Sequence, residues 1–298
     1  MSFSAVQEIV THPGSAHKDE FLACCLLLTE HPVPISRREP QPGEEEDSTI
    51  LLVDVGHRHE TEKGNFDHHQ FPRAHPPTCS VSLVLKAMGL YEDACAFCDW
   101  VEPTEWFDSR GLVETARWLG AEIKTLRRMN SPVDGALLRA FAEQDRHAPG
   151  DVIWEVMRII GKDITGYLRN LRANLEEIRH SSSIWKLEQG EAIFEVLFMP
   201  RREEMGSDPS MGMGRFIERE GLKERIVGMV YPDRRGPGYG LARFNDDVRF
   251  DFTRIRDCPD VHFAHANGFL AKTTAREEAR LQELLRLAWR GYQKNNID

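Results

Sequence analysis

The stretch Ile9-Val10-Thr11-His12-Pro13-Gly14-Ser15-Ala16-His17-Lys18-Asp19-Glu20 passes from an apolar strand, through a short loop with two histidines, into an acidic helix start. A second apolar run, Ile50-Leu51-Leu52-Val53, ends directly in Asp54-Val55-Gly56. A third segment, Asn65-Phe66-Asp67-His68-His69-Gln70, places three metal-capable side chains in a row. Each polar cluster follows an apolar strand, which is where open α/β sheets place their sites. Carboxylate oxygen combined with neutral imidazole suits a divalent transition ion such as Mn²⁺ better than Ca²⁺.

Working outward, the pattern predicts strands over 7–11, 33–37 and 49–54 and a helix over 19–29, hence a parallel sheet with crossover helices. Residues 39–48 hold two prolines, a glycine and five acids, a solvated loop. Helical spacing then recurs over 82–88, 90–100, 111–129, 133–146, 152–160 and 164–179, with breaks at Pro103, Pro132 and Pro149. His180-Ser181-Ser182-Ser183 reads as a linker. Strands are expected over 192–199, 225–231, 239–244 and 261–264, with a closing helix over 274–292. This organisation predicts a metal-binding domain over 1–182 with a helical extension, and a smaller α/β substrate-binding domain over 183–298, with substrate held between them.

Length and composition agree with two folded domains: 298 residues, 41% hydrophobic, can bury a sizeable core. A formal net charge of −10 argues against a broadly basic nucleic-acid surface, though one local basic groove is compatible with it. With no long apolar run and no Arg-rich leader, the sequence reads as a cytoplasmic protein without membrane contact. The six cysteines form no disulfide framework, and Cys95-Ala96-Phe97-Cys98 is a lone pair without a second.

Taken together, the order His-x-Gly-x-x-His-x-Asp-Glu (12–20), Val-Asp-Val-Gly (53–56) and Asp-His-His-Gln (67–70) resembles the melanocyte-proliferating-gene (MYG) family. That family is similar to a branch of the DHH phosphoesterases, so the resemblance implies a Rossmann-like DHH-type fold. Tyr231-Pro232-Asp233, and Val261-His-Phe-Ala-His265-Ala-Asn-Gly268-Phe269, are similar to the family's later segments.

The resemblance implies a centre of two Mn²⁺ ions, with His12, His17, Asp19, Asp54 and His68 as ligands. Which histidines ligate is open from the sequence. Asp67 and His69 are the expected catalytic pair, with His69 orienting substrate or neutralising charge at phosphorus. DHH-type sites use one more aspartate; here Asp99 is expected on a helix as that ligand, with Asp108 its rival. His57 and His59 are read as loop residues. Arg37, His265 and Gly268 are the candidate substrate contacts, and residues 205–214 form a glycine-rich loop.

The implied activity is a 3′–5′ exonuclease on RNA or short oligonucleotides, by a two-metal hydroxide mechanism. Alternatives are hydrolysis of a small phosphoester (a nucleotide, cyclic dinucleotide or pyrophosphate) and a non-catalytic metal- or ligand-binding role. A homodimer is compatible with any of them.

Overall fold

The computed structural model describes residues 5–202, 208 and 210–291, which divide into two compact units, Met1–Arg169 and Asn170–Asp298. The first unit is built on a six-stranded sheet. Its strands are β1 (Glu8–Thr11), β2 (Ile35–Arg37), β3 (Ile50–Val53), β4 (His59–Glu60), β5 (Asn65–Phe66) and β6 (Arg146–His147), in the order β4-β5-β3-β1-β2-β6. β1 pairs in parallel with both β2 and β3, and β3 in parallel with β5, while β4 and β6 close the edges antiparallel. Ile9, Val10, Ile35, Leu51, Leu52 and Val53 are all fully buried. Continuous apolar strands of this kind need cover on both faces, as parallel sheets require.

Helix α1 (Lys18–Leu27) crosses from β1 to β2 and is buried along nearly its whole length, from Asp19 to Leu27. A helix that is apolar all round belongs in a core rather than on a surface. It packs against α2 (Ser80–Ala87), followed by α3 (Tyr91–Phe97), α4 (Val101–Trp118), α5 (Ile123–Arg128), α6 (Pro132–Ala142) and α7 (Val152–Ser181).

Three local features differ from the sequence reading. Pro103 opens α4 rather than breaking the chain, because the first turn of a helix has no use for its missing N–H. Gly111, at φ 77°, is the real break, splitting α4 into two segments. Gly161 does not interrupt α7. A Cβ there would lie 1.8 Å from the Cys25 carbonyl oxygen, so the glycine lets α7 approach the backbone of α1. The stretch read as a linker, residues 180–183, is the last turn of α7 and the start of the next strand.

The second unit carries a sheet of β7 (Ser183–Gln189), β8 (Ala192–Phe198), β9 (Ile226–Pro232), β10 (Tyr239–Arg243), β11 (Val261–Ala264) and β12 (Leu270–Thr273), with helices α8 (Met213–Arg219) and α9 (Glu278–Ala288). The order is β11-β12-β10-β9-β8-β7, antiparallel except for β8 beside β9. Its core is aromatic: Trp185 stacks on Phe198 at 4.0 Å and Phe194 on Trp289 at 4.2 Å, with Phe250 edge-on to Phe194. Leu281, Leu284, Leu285 and Ala288 seal it from α9. The glycine-rich loop over 205–214 lies partly outside the described residues, and the closing helix expected over 274–292 is shorter, Glu278–Ala288, ended by the extended backbone of Trp289.

Candidate metal centre

The ends of β1 and β3 and the loop after β5 bring their side chains to one edge of the first sheet. Among the described residues there are three groups of donors whose ligating atoms lie within 4.8 Å of one another: His12, His17 and Asp54; Asp54, His68 and His69; and His17, Asp19 and Asp108. Asp54 belongs to two groups and His17 to two, so the seven residues form one continuous cluster.

The loop bearing the first two histidines is pinned from below. Arg37 is 2% exposed and donates to the carbonyls of Gly14 (3.0 Å) and Ser15 (3.4 Å) and to Glu20 (3.3 Å). Glu20, fully buried, accepts from the Thr11 hydroxyl at 2.8 Å and the His17 N–H at 2.9 Å, and its other partner is His12 Nε2 at 2.9 Å. His12 Nδ1 sits 2.8 Å from the Pro13 carbonyl oxygen, which fixes the ring. The Glu20 hydrogen bond pushes the His12 pKa up to about 9, against burial.

Asp54 follows β3 with φ 59°, a left-handed backbone that aspartate tolerates better than most residues. Its Oδ1 accepts from the Ser80 hydroxyl at 2.9 Å, while the Ser80 N–H, at the start of α2, points to Asp19 Oδ2 at 3.2 Å. Ser80 thus ties two buried carboxylates together. Burial pushes Asp54 up, but His68, His69 and Ser80 outweigh it and hold its pKa below the ordinary value. Asp19 goes the other way: burial, then the charges of Asp54 and Asp108, raise it well above the carboxylate range.

Within the cluster, three buried atoms carry no hydrogen bond: Asp19 Oδ1, His68 Nε2 and Asp108 Oδ2. His68 Nε2 lies 2.9 Å from Asp108 Oδ2 and 3.1 Å from Asp54 Oδ1, near enough for ion pairing but without hydrogen-bond direction. Unsatisfied polar groups are costly in an interior and are retained where something else satisfies them. Converging imidazole and carboxylate donors with free lone pairs fit a divalent ion of the Mn²⁺ or Zn²⁺ type.

The structure gathers six of the expected residues, His12, His17, Asp19, Asp54, His68 and His69, into this cluster. It does not gather Asp99, which is exposed in the turn before α4 rather than on a helix. Asp108, two turns into α4, faces His17 and His68 instead. Asp67 is 1% exposed and outside every donor group. It accepts from the His57 N–H (2.7 Å), the His69 N–H (2.9 Å) and His69 Nδ1 (2.7 Å), contacts that outweigh burial and lower its pKa to about 2. Asp67 therefore positions His69 and does not reach the centre.

Arg37, expected as a substrate contact, is buried below the cluster, with its terminal nitrogens on the loop and Glu20, its guanidinium carbon 4.7 Å from the Phe141 ring centre, and its Nε without a hydrogen bond. His265 and Gly268 lie in the second unit. The His265 ring packs tilted against Phe269, centroids 4.1 Å apart, and Gly268, at φ 70°, turns the β11–β12 hairpin with its N–H on the His265 carbonyl. A Cβ on Gly268 would meet Asp251 Oδ1 at 2.4 Å, so the glycine answers a packing need.

Glu20 and Ser80 escaped sequence reasoning as site residues. For Glu20 the signal was present, three residues after His17, in the spacing of a capping box. Ser80 carries no such mark.

The fold and this donor set define a class, an α/β protein with a His/carboxylate cluster at a sheet edge. The family model MYG1_exonuc, described as Uncharacterised protein family (UPF0160), matches residues 8–89, which hold every donor of the cluster except Asp108. Over those residues the chain is similar to that family. No curated protein matches the chain. Among the described residues, no helix is long and apolar enough to cross a membrane.

Proposed function

We propose that the cluster binds two divalent ions, Mn²⁺ foremost, and that the protein is a phosphodiesterase acting as a 3′–5′ exonuclease on RNA or short oligonucleotides. The observation that carries this reading is the seven-donor cluster, with Asp54 shared by two donor groups and three buried donor atoms lacking hydrogen bonds. The name of the matching family model, MYG1_exonuc, agrees with it. The expected DHH kinship extends the same reading to the fold.

Bound ions of this type supply Lewis-acid activation of water and charge neutralisation at phosphorus. His12, His17, Asp19, Asp54, His68 and Asp108 would hold them. Arg37 and Glu20 keep the His12–His17 loop in place, and Ser80 fixes the separation of Asp19 and Asp54. Asp67 holds the His69 ring through Nδ1, which leaves Nε2 on a half-exposed side chain to meet a substrate oxygen or carry a proton.

The test is hydrolysis of a 5′-labelled short RNA by protein stripped of metal and reloaded with Mn²⁺, beside bis-p-nitrophenyl phosphate. Asp54→Asn is the control, because asparagine also tolerates a left-handed backbone and leaves the fold intact. A ladder shortening from the 3′ end, lost by at least about a hundredfold in the variant, supports the exonuclease. Turnover of the small ester alone favours a small-phosphoester hydrolase. Silence on both with metal bound leaves a non-catalytic binder.

A further inference from the structure

A cavity of about 930 Å³ opens beside the cluster and shares His17, Asp19 and Asp108 with it. Its size lies near the upper end for small-molecule sites. We propose that this cavity receives the uncharged nucleoside of the terminal nucleotide whose phosphate is held at the cluster, a substrate assignment that rests on the phosphodiesterase reading.

The walls are apolar and partly flat. Trp100 and Phe107 come from the first half of α4 and the turn before it, Leu126 and Met129 from α5 and its end, and Leu138 from α6. Phe107 is 40% and Met129 75% exposed, large apolar surface left open to solvent beside a polar centre. Aromatic faces of this kind stack nucleobases with little regard to sequence.

Polar groups interrupt the walls. Thr125, Asn130 and Ser131 offer donors and acceptors that match base edges or ribose hydroxyls. A plain hydrocarbon would leave these groups unmatched.

Charge limits how much substrate enters. Lys18 is the sole cation of the lining, and it is already paired with Asp134 at 2.9 Å. A second phosphate, beyond the ion-holding Asp19 and Asp108, would face Asp134 with no unpaired cation among the lining residues. One nucleoside fits this balance and a following phosphodiester does not, so the cavity selects a chain end.

Gly135 provides the test. It lines the cavity from α6, and a Cβ there meets only the far end of the flexible Arg139 side chain, at 3.1 Å. Gly135→Phe therefore fills the cavity without a backbone clash, and Phe107→Ala removes one stacking face from a half-exposed position. Isothermal titration of the Mn²⁺-loaded full chain with 5′-AMP, hexyl phosphate and inorganic phosphate reads the site directly, with metal content and melting temperature checked for each variant.

The wild type is expected to bind 5′-AMP at least about tenfold more tightly than phosphate, and Gly135→Phe to collapse that ratio towards one. Phe107→Ala is expected to cut the ratio severalfold. Equal affinities for 5′-AMP and phosphate, or a ratio that survives Gly135→Phe, overturn the cavity assignment while leaving the phosphodiesterase reading standing. Hexyl phosphate gaining as much as 5′-AMP overturns the nucleoside in favour of any apolar ester. Failure of all three anions to bind metal-loaded protein removes the phosphodiesterase reading, and the assignment with it.

Discussion

Replacing Arg37 by methionine separates a structural role from a substrate contact. The guanidinium is 2% exposed and paired with Glu20, itself fully buried. Breaking such a pair costs about 3–5 kcal/mol, because the remaining charge stays buried without its partner. Glu20 keeps His12 at 2.9 Å and the Thr11 hydroxyl at 2.8 Å, and the Gly14 and Ser15 carbonyls belong to exposed residues that water can reach. The loss therefore falls near the lower bound, about 3 kcal/mol. For a unit of this size, each kcal/mol moves the melting temperature by about 2–4 °C, which gives a drop of about 6–12 °C. Differential scanning calorimetry of metal-free protein measures it, with the transition of the first unit followed separately. Metal affinity should fall as well, since the loop carrying His12 and His17 loosens. A melting temperature within about 2 °C of wild type, together with a selective rise in KM, would show that Arg37 touches substrate and that the burial argument is wrong.

Asp108→Asn should weaken Mn²⁺ binding by about tenfold or more, whereas Asp99→Asn, at an exposed turn, should stay within about 0.5 kcal/mol of wild type by calorimetric titration. Metal affinity should also rise with pH. His12, raised to about 9 in the metal-free protein, holds a proton at neutral pH that an ion must displace, so affinity climbs up to about tenfold per unit between pH 6.5 and 8.5 for each proton released. Titrations in buffers of different ionisation enthalpy count those protons; an affinity flat across that range would rule the linkage out. In α7, Gly161→Ala should destabilise by about 1–3 kcal/mol or more, because its Cβ would collide with the Cys25 carbonyl. Gly166→Ala, with nothing within 4 Å, should instead stabilise by about 0.5–1 kcal/mol in urea denaturation.

The parallel centre of the first sheet was legible because Ile9-Val10 and Ile50–Val53 are continuous apolar runs, and only strands covered on both faces are written that way. The cluster was legible for a related reason, since its donors follow those strands directly. Asp108 was harder to place. Its position depends on where α4 begins, and the sequence reading broke the chain at Pro103 when the true interruption is Gly111. Asp99 was favoured because it stands where the resembling family's pattern places its first aspartate. Gly161 falls in the gap between the helices read over 152–160 and 164–179, and only the approach of α7 to α1 reveals its use. β6 is two residues long and pairs with a strand 110 positions earlier at Ser36 and Arg146, beyond the reach of periodicity. β7 was missed because three serines precede its alternating Trp185 and Leu187, which fill the second core.

The most direct test of the metal centre is a count of Mn²⁺ per chain in protein stripped and reloaded, by elemental analysis beside calorimetric titration, for wild type and Asp54→Asn. Two ions in the wild type, with one or both lost when the carboxylate shared by two donor groups is neutralised, is the predicted result. Wild-type protein that remains folded and holds no Mn²⁺ or other divalent transition ion would contradict it.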